Sequence, residues 1–235
     1  MAITKKPKRI SYTTPKGVFK FPSLSKPDFG NESFPKPDGE FKVAVVVPLE
    51  LAQPLIDKLM PEWNIAIALG HEAFGALALP VRKKLGALKE QMFYETEYDP
   101  DTEEETGNVI FKFKTKYKIT DKKTGDTRFN TIGLFDASSP PKPLAPGVAI
   151  YGGTVGKISF QVADYFVAGQ GMAGLSLRLG AAQVIDLVGP GNRSASSFGF
   201  GGEEGGYETE EADSFPPEES AGAPKAAPNG DPSDF

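Results

Sequence analysis

The sequence predicts an all-β protein: a five-stranded OB-type barrel with a helical insertion, a basic N-terminal arm and a disordered acidic C-terminal tail. Three observations lead there. Strand-like runs separated by turn-rich links recur between residues 40 and 188. One stretch, about 49–92, instead repeats its apolar residues at helical spacing. The charges are also segregated: residues 1–193 hold 25 Lys/Arg against 21 Asp/Glu, whereas 194–235 hold one Lys against ten acids.

That segregation matters more than the net charge of -5. The body is +4 and the tail -9, and seven bases precede the first acid, Asp28. Such asymmetry points to a nucleic-acid binder with an acidic arm. With 235 residues, 39% of them hydrophobic, the chain suits one cored domain plus extra segments. It has no cysteine and a single histidine, His71. Disulfides, thiolate zinc sites, cysteine nucleophiles and paired-histidine catalysis are therefore excluded. No apolar run reaches the roughly 18–20 residues that span a bilayer. The start, MAITKKPKRI, lacks the apolar stretch of a secretory signal, so a soluble protein used in cytoplasm is expected.

Residues 1–39, basic and Pro-rich, read as an arm over the body, with one short strand-like run at Gly17–Phe21. Glu40–Val47, EFKVAVVV, is a buried strand stopped by Pro48. In 49–92, Leu51, Leu55, Leu59, Ile65, Leu69 and Ala73 recur helically, and Pro54, Pro61 and Pro80 are expected to divide the stretch into short helices. Trp63 and Phe74 read as core. Glu95–Gly107 is an acidic, turn-rich loop.

The clearest strand runs from Val109 to Ile119. Phe111, Phe113, Tyr117 and Ile119 are expected on one face, with Lys112, Lys114, Lys116 and Lys118 on the other. Asp121–Asp126 forms a hairpin loop, and 127–135 returns as the partner strand. Val155–Val167 and Leu175–Val188 supply strands four and five. From Gly189 the chain is rich in Gly, Ser, Pro and Glu, and 189–235 is expected to be disordered. The domains are thus 1–39, 40–188 and 189–235.

Few motifs carry chemistry. Gly169–Gly174 spells G-x-G-x-x-G, but the following Leu175–Leu179 alternates as a strand, so it is a hairpin loop rather than a dinucleotide site. His71-Glu72 lacks the second histidine of H-E-x-x-H, because position 75 is Gly. No serine elbow or Walker lysine occurs, and no cofactor is expected. The lysine face is different. Lys at every second residue makes a positive strip about 20 Å long at roughly 3.3 Å per residue, which can track the phosphates of a single strand. Lys122, Lys123 and Arg128 extend it through the hairpin. Tyr165 and Phe166, adjacent on the fourth strand, point to opposite faces, so one can stack on bases while the other packs; Tyr94, Tyr117, Phe129 and Tyr151 are weaker candidates.

Several short words, in order, resemble one family: Lys26-Pro27-Asp28-Phe29-Gly30-Asn31-Glu32, Phe41-Lys42-Val43, Phe111-Lys112-Phe113-Lys114, Asp121-Lys122-Lys123-Thr124, Gly152-Gly153 and the terminal Asp234-Phe235 after an acidic tail. The chain resembles the single-stranded-DNA-binding proteins of short-tailed coliphages. The resemblance implies an OB-fold homodimer, without enzymatic activity, that binds single-stranded DNA regardless of sequence in phage replication, recombination and repair. It implies a cytoplasmic location in the infected host. It also implies that the tail, through Asp231, Asp234 and Phe235, contacts the phage DNA polymerase and helicase–primase and competes with DNA. Lys114 and Tyr165 fall on its DNA-contacting positions, and Lys5 and Lys6 match a basic N-terminal contact. An alternative reading is a phage structural or scaffolding protein that assembles by pairing body with tail. An enzyme using the 95–106 acids has the least support.

Overall fold

The computed structural model describes residues 10–121 and 123–189. The expected contacts Lys5, Lys6, Lys122, Asp231, Asp234 and Phe235, and all of the expected tail beyond Gly189, lie outside the described residues.

Chain order begins with β1 (Ser11–Thr13), β2 (Gly17–Gly30) and β3 (Pro35–Pro48), followed by the helices α1 (Leu49–Gly75) and α2 (Leu79–Leu85). Then come β4 (Lys89–Gln91), β5 (Glu95–Tyr98), β6 (Glu105–Lys116), β7 (Lys118–Thr120), β8 (Thr127–Phe129), β9 (Gly133–Phe135), β10 (Val155–Val167) and β11 (Met172–Asp186). The barrel closes because β10 pairs with both β2 and β11, completing the ring β2–β3–β6–β11–β10. This is the five-stranded OB-type barrel that the sequence predicts, but one member differs.

The first barrel strand is β2, inside the stretch expected to be an arm. Its Phe19 and Leu24 enter the core, as does Tyr12 of β1. Pro22 and Pro27 hide this strand in the sequence because neither can donate to a ladder. Both fall where the pairing with β3 is irregular, between Lys20 and Ser23 and between Ser23 and Asp28. Conversely, 127–135 is not a barrel strand. Asn130 breaks it, its Nδ2 donating to Lys116 O at 2.7 Å. The two remnants go separate ways: β8 pairs with β7, while β9 runs parallel beside β11.

The helical insertion follows β3, as one 27-residue helix through Pro54 and Pro61 and a short α2. Each interior proline forfeits a backbone bond at a cost of roughly 3 kcal/mol. The buried stripe Ala52, Leu55, Ile56, Leu59, Ala66, Ile67 and Gly70 offsets this by packing α1 onto the barrel. At Gly70 the approach is so close that a Cβ would lie 2.3 Å from the Ala173 Cβ. Pro80 sits at the start of α2, where its missing N–H costs nothing. The acidic stretch is also ordered: β5 pairs with β6, and Asp99 Oδ1 accepts from the N–H of Asp101 at 2.8 Å to close the turn.

Inside the barrel, Phe19, Val45, Val47, Phe111, Phe113, Ile158 and Phe160 are sealed from solvent. Phe113 and Phe160 meet at a 4.9 Å ring separation. The alternation that buries Phe111 and Phe113 turns Lys112 and Lys114 outward. Among the described residues no helix is long and apolar enough to cross a membrane.

Candidate nucleic-acid interface

The barrel ladder sets the site. Lys42 of β3 lies directly opposite Lys114 of β6, and Lys114 lies beside Arg178 of β11. Ser23 and Gln161 extend the same row on β2 and β10. Neighbouring strands are about 4.8 Å apart, so this is a short cationic row across the sheet rather than along one strand.

Ion pairs decide which of these charges is available. Lys112 Nζ holds both oxygens of Glu95, at 2.7 and 2.6 Å. Lys116 holds Asp38 at 2.8 Å, Lys42 holds Asp28 at 2.7 Å, and Lys20 holds Glu97. Lys42, the Gly30 N–H and Lys36 keep the Asp28 carboxyl well below the usual carboxylate range. Lys116 does the same, more weakly, for Asp38. Lys114, Arg178 and Arg128 make no ion pair among the described residues. The strip expected along β6 is therefore largely neutralised on either side of Lys114.

The free cations join a run of open clefts. The first, about 610 Å³, brings Lys112 and Lys114 together with Tyr94 and Tyr165. A second, about 430 Å³, places Lys114 and Lys116 beside Arg178. A third, about 280 Å³, places Arg178 beside Arg128 and Gln161. Lys114 belongs to the first two and Arg178 to the last two, so the clefts form one path across the outer face.

Tyr165 is half-buried, and burial pushes its phenol above the ordinary value. Opposite it in the ladder is Gly174. A Cβ there would lie 3.0 Å from the tyrosine Oη and 2.6 Å from Gln91 O, so the bare backbone gives the ring its space. Trp63 anchors the neighbouring edge, its Nε1–H donating to Gln91 O at 2.8 Å. A ring beside unpaired cations can take a base on its face while the cations take phosphates.

The structure thus brings together Lys112, Lys114, Lys116, Arg128 and Tyr165 of the predicted set. Lys123 stands exposed in the β7–β8 turn. Tyr117 joins an aromatic cluster with Phe41 and Phe129, at ring separations of 5.9 and 5.1 Å. Ile119 does not follow Phe113 inward but lines the second cleft beside Lys114. The alternation ends because β6 stops at Lys116 and the Tyr117 N–H turns to Gly39 O at 2.9 Å. Sequence reasoning missed Lys42 and Arg178. The outward letters of FKV and LRL mark both residues, but their register with Lys114 joins strands far apart in the chain.

Comparison with known proteins points to one family. The family described as single-stranded DNA-binding protein, bacteriophage T7, matches residues 17–187. The chain is 28% identical over 213 residues to the single-stranded DNA-binding protein of Enterobacteria phage T3, covering 87% of this chain and 88% of that one. It is 28% identical over 192 residues to its counterpart in Escherichia phage T7, covering 80% and 77%. The crystal structure of the single-stranded DNA-binding protein encoded by bacteriophage T7 shares the fold, with a TM-score of 0.62 and 22% identity over 86% of this chain and 100% of that one. The family is one of binding proteins, not enzymes. A continuous match across the barrel, from β2 to the end of β11, leaves one assignment: the chain belongs to the family of the bacteriophage T7 single-stranded DNA-binding protein.

Proposed function

We propose that this chain binds single-stranded DNA without sequence preference along the path from Tyr94 and Tyr165 through Lys114 and Arg178 to Arg128. The observation that carries it is the meeting of unpaired cations with half-buried tyrosines in one open groove. The cations grip phosphates through charge alone, and the rings accept any base, so neither kind of contact selects sequence. A duplex keeps its bases stacked inside and cannot use the tyrosines. The names of the phage T3 and T7 relatives support the same ligand.

In this reading the protein serves phage DNA replication, recombination and repair in the cytoplasm of the infected host. It acts as a homodimer, and the tail with Asp231, Asp234 and Phe235 recruits the phage DNA polymerase and helicase–primase. Lys5, Lys6, Lys122 and Lys123 add phosphate contacts. The acidic tail, at -9, is a polyanion that competes with DNA for the +4 body.

Titrating fluorescent oligo-dT and a matched duplex at several salt concentrations tests this. Tight binding to the single strand that weakens steeply with salt is expected. Equal affinity for duplex and single strand at low salt refutes it. A body–tail scaffold would instead show salt-sensitive self-assembly with no oligonucleotide preference.

A further inference from the structure

Phe21 stands 81% exposed on the outer face of β2. Its placement is not what the strand pattern alone would give. Phe19 is fully buried, so simple alternation would return Phe21 to the core. Instead β2 advances three residues, from Lys20 to Ser23, while β3 advances two, from Ala44 to Lys42. The extra residue is a bulge. It turns Phe21 outward and lets Leu24 refill the core at 2% exposure. Bulges of this kind re-aim side chains, often beside functional sites.

The backbone at this point is also unfavourable. Phe21 has φ 50°, in the left-handed region that bulky residues avoid. Pro22 follows, and a residue before proline is pushed toward extended conformations. An exposed phenylalanine in such a conformation gains neither burial nor backbone comfort, so its use must lie in what it faces.

It faces the cationic row. With Lys42, Lys112, Lys114 and the short Ala44, Phe21 lines a cleft of about 360 Å³. Lys114 lines this cleft and also the one holding Tyr94 and Tyr165. Because β6 separates β3 from β11 in the barrel, Phe21 and the two tyrosines lie on opposite sides of Lys114.

We infer that Phe21 is a base-stacking platform, a second aromatic stop for a single strand that crosses the barrel over Lys114. The inference rests on the single-strand-binding reading above. One base stacks on the tyrosine side, the phosphates between pass Lys114, and a later base stacks on Phe21.

The test uses the full chain with oligo-dT and an abasic oligonucleotide of equal length. Phe21→Ala weakens oligo-dT binding about 5- to 150-fold, the range of one lost stack, and leaves abasic binding and the salt slope unchanged. Phe21→Tyr retains most of the affinity and Phe21→Leu little. Phe21→Gly relieves the positive φ, raises Tm and still loses oligo-dT affinity, which separates stacking from folding. Equal losses on both oligonucleotides, or none, overturn the role of Phe21. If Lys114→Ala still weakens binding in that case, the single-strand reading survives without it. If wild-type protein does not prefer single strand to duplex, both fall together.

Discussion

Lys114 and Arg178 lie side by side on β6 and β11, and neither meets a carboxylate among the described residues. Around them, each outward lysine of β3 and β6 has an acid within ion-pair reach. The groove is thus a narrow positive lane with neutral margins. A free cation releases a phosphate's counterions outright, whereas a paired one must first give up its acid. Lys114→Ala or Arg178→Ala is therefore expected to lower the slope of log affinity against log salt by about 0.7 each. Lys123→Ala, in the exposed β7–β8 turn outside the lane, should lower it by less. Oligo-dT titrations across a salt series measure all three.

Glu95 holds Lys112 at the edge of the lane, and both side chains are well exposed. Exposed pairs contribute only about 0–1 kcal/mol to stability. Glu95→Gln should thus leave Tm nearly unchanged while freeing a cation beside Tyr165. Tighter oligo-dT binding, with a salt slope steeper by about 0.7, is the expected result. Unaltered affinity and slope would show that the pair stays closed to DNA for reasons other than charge.

Part of this was readable in the sequence. The Phe111-Lys112-Phe113-Lys114 alternation gives β6 its two faces, and the run to Val167 marks β10. The identity of the first barrel strand was obscured by Pro22 and Pro27, which look like breakers but occupy ladder gaps. Helix α1 ran through Pro54 and Pro61 because tertiary packing of its apolar stripe outweighed two lost backbone bonds. The cationic lane was least legible. It depends on the register of Lys42, Lys114 and Arg178 and on which lysines find acids, and neither follows from local pattern. Phe21 was hidden for a related reason, since one bulge reverses its face.

Residues 194–235 carry ten acids and one lysine. In the proposed reading this stretch acts as a tethered polyanion that competes with DNA for the body. Deleting 214–235 is expected to raise oligo-dT affinity, most at low salt, and to abolish capture of the phage polymerase or helicase–primase. Weaker binding after truncation would reject self-competition. A pull-down alongside the titration separates the two functions proposed for the tail.

Asp28 ties the β2–β3 ribbon together through Lys42 at 2.7 Å, Lys36 at 2.9 Å and the Gly30 N–H at 2.8 Å. These contacts hold its carboxyl well below the usual carboxylate range, so the folded state holds the proton less tightly than the unfolded one. The stabilisation is therefore fully present above about pH 4 and fades as pH falls further toward the lowered value. Asp28→Asn should cost about 1–3 kcal/mol at neutral pH, typical for bonds to a charged acceptor. The deficit should shrink in acid. Urea unfolding at pH 7 and near pH 3 checks this, and a cost that does not depend on pH would point to packing instead.

Gly70 tests whether α1 is held by close contact with the barrel or only by its larger side chains. The Cβ of an alanine there would sit 2.3 Å from the Ala173 Cβ, far inside contact distance. Since Ala173 belongs to β11, relief requires α1 to move outward or the β11 edge to shift. Alanine favours a helix over glycine by about 1 kcal/mol, so propensity alone predicts stabilisation. Overpacking predicts the reverse, a net loss of about 1–3 kcal/mol. Gly70→Ala is expected to lower the urea midpoint, and the pair Gly70→Ala with Ala173→Gly to recover most of it. That rescue would place the strain at this one contact, because the double variant restores the space while retaining the better helix former.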